Sequence, residues 1–309
     1  MNCALRRGEP HPSDRAVPRS LPLPILSALL AVALLSFMDA LMKGASLAIG
    51  AYSAALLRSV FGVMLIAPVW LGRGGKWPSP AVLKVHLLRG VCGSLMALTF
   101  FYALTKLPLA ETIAISFIAP LVALYLAAIF LGETIRREAI VAAVLGLAGT
   151  LVIVGGKFGR EPMSDDALLG VGSILVSALL YAGNLVISRH QAQLASPLEI
   201  STFHSGVGAV MLALAAPFFL VLPNTETTLL LLGSALLTVT GAIAFAWAYA
   251  RAEAQVLVPM EYSGFLWASL FGWLFFAESV TTTTVLGTAL IVFGCWLAAR
   301  RKHTEQAAV

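Results

Sequence analysis

Ten stretches of roughly 20 apolar residues, divided by short polar breaks, run through this sequence of 309 residues. A stretch of that length crosses the hydrocarbon core of a bilayer as an α-helix, because backbone N–H and C=O groups find no water partners there. Only 11% of the residues are charged, whereas a soluble domain carries about 25%. We therefore predict an all-α integral membrane protein with ten transmembrane helices, at 22–43, 51–71, 83–104, 110–131, 138–155, 167–189, 198–221, 228–250, 255–276 and 281–299.

Lysine and arginine residues are distributed unevenly over the breaks between these spans. With the N-terminus inside, 14 of the 20 lie on the inner side and four on the outer side, and the remaining two lie within spans. This bias is typical of cytoplasmic loops. It predicts a multi-pass protein of the inner (plasma) membrane with both termini cytoplasmic, including a disordered tail at 1–21 and a short tail at 301–309.

The two halves of the chain repeat each other. Lys43 and Arg58 are 15 residues apart, as are Arg189 and His204, and the offset between the pairs is 146. This alignment predicts one five-helix repeat at 22–155, a linker at 156–166 and a second repeat at 167–300.

A second match between the halves follows the fourth and ninth spans. The motif LGETI aligns with FAESV at an offset of 145, which pairs Glu133 with Glu278. Because each repeat holds five spans, an odd number, the second repeat must be inserted upside down. Inverted repeats are typical of secondary transporters, whose binding site lies near the midplane between the repeats.

Short motifs recur at defined places along the spans. They are Lys43 and Arg58, Phe100-Phe101-Tyr102-Ala103-Leu104, Ala110, Pro120, Leu131-Gly132-Glu133, Pro259-Met260-Glu261-Tyr262, Trp267-Ala268, Ala277-Glu278-Ser279, Gly287 and Gly294. Over roughly residues 22–300 this set resembles the drug/metabolite transporter superfamily, and specifically its EamA-type ten-helix members. The resemblance implies a metabolite transporter. Members of the family export amino acids, metallophores and other metabolites, while some import riboflavin or S-adenosylmethionine.

Ionisable side chains inside the first three spans are functional candidates, because burying a charge at membrane depth costs several kcal/mol. Arg58 offers a planar fork of donors that suits a substrate carboxylate, and its alternative is a structural pair with Asp39. Asp39 also lies four residues before Lys43, a spacing that favours a local ion pair on the helix. We expect Arg89, one turn into the third span, to extend its head to the aqueous surface.

The second half supplies further candidates for substrate binding or coupling. Glu261 can bind a substrate ammonium group or carry a coupling proton, or form an ion pair with Arg251 or His204. His204 can relay protons or serve as an ordinary hydrogen-bonded residue. Three more residues complete the predicted set, of which the first can hydrogen-bond a ligand or a neighbouring helix and the aromatic two can line a cavity: Asn184, Tyr262 and Trp247.

These features favour a secondary transporter that works by alternating access. We expect it to export a small polar or zwitterionic metabolite, such as an amino acid, its derivative or an opine-type metallophore. The alternatives are an importer of riboflavin or S-adenosylmethionine type, an intramembrane enzyme, or a membrane assembly factor without transport. The sequence indicates no cofactor, metal site or nucleic-acid site, and Phe158 stands where a phosphate-binding loop needs Ser or Thr. The predicted partners are a small-molecule substrate and the lipid bilayer, with protons as the candidate coupling ion.

Overall fold

The computed structural model describes residues 22–119, 122, 137–158, 164–191, 193–249, 251, 257 and 260–300. Over these ranges the chain is helical and contains no β-strand. Its helices are α1 (Pro22–Gly72), α2 (Pro80–Lys106), α3 (Leu109–Ser116), α4 (Arg137–Phe158), α5 (Asp165–Gln191), α6 (Pro197–Ala213), α7 (Ala216–Phe219), α8 (Thr225–Tyr249), α9 (Gly264–Phe276) and α10 (Thr282–Arg300). The predicted tails at 1–21 and 301–309 lie outside the described residues, as do half of the fourth span, Glu133 and most of the first residues of the ninth span.

Gly50 divides α1 into two spans. A straight helix of 51 residues would be ~77 Å long, far more than the ~30 Å of a bilayer core. Gly50 interrupts it with φ 81° and ψ 150°, a conformation that only glycine adopts without steric cost. The first two predicted spans therefore meet at a single residue, whereas the sequence predicted a break at 44–50.

Several described helices are long and apolar enough to span a membrane. Four meet this description, at Leu23–Gly72, Pro80–Lys106, Asp165–Asn184 and Thr225–Phe245. Shorter apolar helices follow at Val144–Gly156, Gly264–Phe276 and Thr282–Gly294. Large apolar side chains face outward along them, and Leu229 and Leu266, for example, are more than 60% exposed. Such a surface suits lipid, so the chain is a multi-pass α-helical membrane protein.

The seventh predicted span, 198–221, is not one continuous helix. Instead α6 ends at Ala213 and the four-residue helix α7 begins at Ala216. The reason is Pro217, which lacks an N–H and whose ring would clash with the carbonyl of Ala213, four residues earlier.

The main helix contacts join the two halves of the chain. The most extensive are those of α1 with α8, α4 with α10 and α2 with α5. Between α4 and α10 the backbones nearly touch, because an ideal Cβ on Gly149 would lie 2.5 Å from the carbonyl oxygen of Gly287. Small residues allow such close approach between membrane helices, where dispersion contacts drive association.

Replacing Gly149 by alanine is therefore expected to push α4 and α10 apart and to destabilise the protein by about 1–3 kcal/mol. The measurement is the unfolding of the purified protein during titration with a denaturing detergent. Gly155→Ala on the same helix is the matched control, because a Cβ there meets nothing within 4 Å. If both variants unfold alike, the close contact of α4 with α10 contributes nothing to stability.

Candidate functional site

Four half-buried ionisable residues face one another where α1, α2 and α6 meet. We call Asp39, Arg58, Arg89 and His204 the central cluster. Arg58 interacts electrostatically with Asp39, and His204 interacts with both Arg58 and Arg89. The Arg58 guanidinium carbon also lies 5.1 Å from the centre of the Phe101 ring, a favourable cation–π distance. The structure thus brings the predicted residues Asp39, Arg58 and His204 together and adds Arg89.

Two glycines make room for the central cluster. A methyl group on Gly93 would overlap the His204 ring, so the imidazole fits against α2 only because that position lacks a side chain. A Cβ on Gly208 would lie 2.8 Å from Ser94 Oγ, which shows how closely α2 and α6 cross beside the cluster. Both substitutions would displace a polar side chain of the site.

Several buried polar atoms in this region lack hydrogen-bond partners within the part of the chain that the structure describes. They are Arg58 Nε, Arg89 Nε and His204 Nδ1, and within the same described residues the predicted Asn184 on α5 also has its Oδ1 unsatisfied. Leaving a buried donor or acceptor unsatisfied costs about 1–3 kcal/mol, and native proteins keep few such groups without a reason. Unsatisfied atoms that converge on one region suit a place where a ligand completes the hydrogen bonds.

Arg89 is held in place by a chain of hydrogen bonds rather than extending to the aqueous surface, so the sequence expectation for it was wrong. Its Nη1 donates to Gln191 Oε1 at 2.5 Å. Gln191 Nε2 lies 2.6 Å from His86 Nδ1, and His86 Nε2 lies 3.0 Å from Glu199 Oε1. If the Gln191 amide donates to Nδ1, the imidazole donates its Nε2–H to the carboxylate. The Phe203 ring stacks on His86 at 4.7 Å between centroids, which further fixes this series of hydrogen bonds.

A second buried polar group, which we call the outer tie, lies at the end of the bundle predicted to face outward. It consists of Lys43, Glu278, the Leu107 carbonyl and the Leu109 amide. Lys43 is 4% exposed; its Nζ pairs with Glu278 Oε1 and donates to the Leu107 carbonyl at 2.7 Å. Glu278 Oε2 accepts from the Leu109 N–H at 2.7 Å. One ion pair thereby fastens three segments, of which two belong to the first half and one to the second.

Glu278 lies just after the end of α9, yet its carboxylate is largely buried. Its side chain is 18% exposed, and a Cβ on Gly272 would lie 2.7 Å from Oε2. Ala277 turns the chain at the end of α9 with a positive φ of 52°, and the Glu278 N–H then donates to the Gly272 carbonyl at 3.1 Å. The local backbone therefore directs the carboxylate inward, towards Lys43. The spacing of Asp39 and Lys43 gave no sign of this partner.

The remaining predicted residues lie on other elements. Glu261 precedes α9, is exposed, and interacts electrostatically with Tyr181 on α5. Tyr262 is half-buried and its ring stands edge-on to Phe117 at 5.4 Å. Near the end of α8, Trp247 is 38% exposed and lies under the Arg251 guanidinium at 4.2 Å. Such a cation–π pair suits the membrane–water interface as well as a lumen.

A known protein family matches this chain of apolar helices with buried polar groups between its halves. The family described as "EamA-like transporter family" matches residues 22–155 and, again, residues 168–300. The chain belongs to the EamA-like transporter family. This membership confirms the resemblance to the drug/metabolite transporter superfamily, and it makes the protein a transporter whose substrate is a small molecule.

Individual relatives of this EamA-like transporter are moderately similar. The pseudopaline exporter CntI of Pseudomonas aeruginosa (strain UCBPP-PA14) is 29% identical over 279 residues, which cover 90% of this chain and 96% of the exporter. A riboflavin transporter of Brucella anthropi is 23% identical over 246 residues, covering 75% of this chain and 82% of that protein. One crystal structure aligns with a TM-score of 0.62 at 22% identity, covering 91% of this chain and 99% of its own. That alignment shows a shared fold.

Proposed function

We propose that this EamA-like transporter is a secondary carrier of the inner membrane. It exports a small metabolite that bears a carboxylate, such as an amino acid derivative or an opine-type metallophore. The central cluster carries the proposal, because it sets unsatisfied polar atoms of α1, α2 and α6, two of them arginine donors, at one place between the two halves. The similarity to a pseudopaline exporter covers 90% of this chain, whereas the similarity to a riboflavin transporter covers 75% of it. This difference favours export over the import of riboflavin.

The helix contacts support ten spans arranged as two inverted repeats. The sequence offset aligns the first part of α1 with α5, α2 with α8, and α4 with α10. When the halves are exchanged, the contact of α1 with α8 becomes that of α5 with α2, and the contact of α4 with α10 becomes itself. Contacts that come in such exchanged pairs are what a two-fold axis between the halves requires. Transporters of this construction alternate access by moving one repeat against the other.

The outer tie supports a conformation that is closed towards the outside. It joins the end of the first span, the turn between α2 and α3, and the residue after α9. Tyr52 and Ser53, at the start of the second span, bond to the Leu212 and Phe219 carbonyls on the same end. Release of substrate to the outside then requires the Lys43–Glu278 pair to separate.

The proposal is tested by comparing cells that carry the gene with cells in which it is deleted. Mass spectrometry of medium and cytosol is expected to find one carboxylate-bearing metabolite that is several-fold depleted outside the deleted cells and accumulates within them. Unchanged metabolites in both compartments would reject the carrier. A loss of uptake of supplied riboflavin, with release unchanged, would instead favour the importer.

A second part of the same experiment tests the role of Glu261 in transport. We expect Glu261→Gln, expressed in the deleted cells, to reach the membrane but not to restore release, because glutamine cannot exchange a coupling proton or pair with an ammonium group. Glu226→Gln is the matched control, an exposed carboxylate in the first turn of α8. Full release by the Glu261 variant would remove Glu261 from the mechanism and leave the carrier itself intact.

A further inference from the structure

We infer that the central cluster recognises two anionic groups of one substrate, with Arg58 and Arg89 as separate anchors. This rests on the proposed function and narrows it: the cargo is a di- or polycarboxylate rather than a simple zwitterionic amino acid. Arg89 thereby becomes a specificity-determining residue, a role that its position in the sequence did not indicate.

The balance of charge is the first reason. The central cluster holds two guanidinium groups and one carboxylate, Asp39, which interacts with Arg58. Among the described residues the ion pairs are Lys43–Glu278, His86–Glu199 and Lys106–Asp166, so neither arginine belongs to one. A guanidinium at membrane depth needs a compensating charge. Asp39 can compensate Arg58, while the charge of Arg89 is left for a ligand.

The distribution of satisfied and unsatisfied atoms on Arg89 is the second reason. Its Nη1 is engaged by Gln191, whereas its Nε is buried without a partner. Its nearest carboxylate along the hydrogen-bond chain, Glu199, is separated from it by the side chains of Gln191 and His86. These hydrogen bonds therefore orient the Arg89 guanidinium without compensating its positive charge. An oriented arginine with an open donor suits a carboxylate, which it binds through charge-assisted hydrogen bonds.

His204 connects the two anchors. It interacts electrostatically with both arginines, which come from different helices, and its Nδ1 is also buried without a partner. A substrate with two carboxylates joined by a short linker would satisfy Arg58 Nε, Arg89 Nε and His204 Nδ1 together. A substrate with one carboxylate would reach only one of the two anchors and would leave the buried Nε of the other arginine without a hydrogen bond, which is costly for a buried donor.

The test uses purified full-length protein and three ligands that differ by one carboxymethyl arm on the same amine: glycine, iminodiacetate and nitrilotriacetate. Calorimetric titration is expected to give at least about tenfold tighter binding of iminodiacetate than of glycine, since a hydrogen bond to a charged group is worth about 10–100-fold in affinity. Binding within twofold for glycine and iminodiacetate, or binding of neither, would overturn the inference.

Variants of Arg89 test whether this residue causes the tighter binding of iminodiacetate. In Arg89→Met the affinity for iminodiacetate should fall to that for glycine, with glycine itself unaffected, while Arg89→Lys should lose part of the preference because it keeps the charge without the fork. Lys84→Met is the matched control, an exposed cation on the same helix, and should keep the full preference. Equal binding by the Arg89→Met and Lys84→Met proteins would contradict the assigned role.

Failure of this inference and failure of the transport function give different results. If the deleted cells retain a monocarboxylate inside, and its release is restored equally by wild type and Arg89→Met, the protein is a carrier without the second anchor. If no metabolite changes compartment on deletion and none of the three ligands binds, the transport function itself is rejected.

Discussion

Replacing Glu278 by glutamine is expected to lower the free energy of unfolding by roughly 3–5 kcal/mol, the cost of removing one partner of a buried ion pair. Lys43 is 4% exposed, so its ammonium group would remain in a dry site, where it still donates to the Leu107 carbonyl but has lost the carboxylate that balances its charge. Detergent-induced unfolding of the purified protein, followed by helix content, measures the change.

Two further variants test whether the loss of stability is specific to the Lys43–Glu278 ion pair. Glu226→Gln removes an exposed carboxylate of α8 and should cost less than about 1 kcal/mol. The double variant Lys43→Met with Glu278→Gln should recover a large part of the loss, because the buried ammonium group is removed together with its carboxylate. A double variant as unstable as the sum of its single variants would show that Lys43 and Glu278 do not act as a pair.

Replacing Arg58 by methionine is expected to reduce transport by about 100-fold, and replacing it by lysine by about tenfold. Methionine removes the charge that compensates the substrate carboxylate, whereas lysine keeps the charge and loses the planar fork. The measurement is release of the identified metabolite by deleted cells that express each variant at equal abundance in the membrane. Arg73→Met, an exposed cation just after α1, is the matched control. A lysine variant with wild-type activity would identify Arg58 as the structural partner of Asp39.

The positions of the described helices could largely be predicted from the sequence, because the length of an apolar stretch is dictated by the thickness of the bilayer. The predicted span 83–104 lies within α2, which extends it by only two or three residues at each end. The break between α6 and α7 was not part of the predicted span 198–221, although Pro217 is the local signal that stops the helix. Local rules of this kind concern neighbours in sequence, and they succeed where the structure is decided locally.

The partners of the buried charges could not be predicted in the same way. Lys43 and Glu278 are 235 residues apart, and the spacing of Asp39 and Lys43 suggested a nearer partner. Arg89 looked like a residue at a helix end, because its tether to Gln191 arises from the contact between α2 and α5. Such pairs depend on how helices pack in three dimensions. The sequence repeat did single out Arg58 and His204 together, since they occupy matching positions of the two halves.

The position of Gly50 has a consequence for how substrate is transported across the membrane. Asp39 and Arg58 lie on either side of it within α1, and a single residue between two spans leaves no slack for one to slide past the other. The two spans are therefore tied at one point, with the carboxylate and the guanidinium on the two arms of one hairpin. Arg89 lies on a separate helix, α2, so a shift of α2 against that hairpin would move Arg89 away from Arg58 and loosen a dianion bound between them.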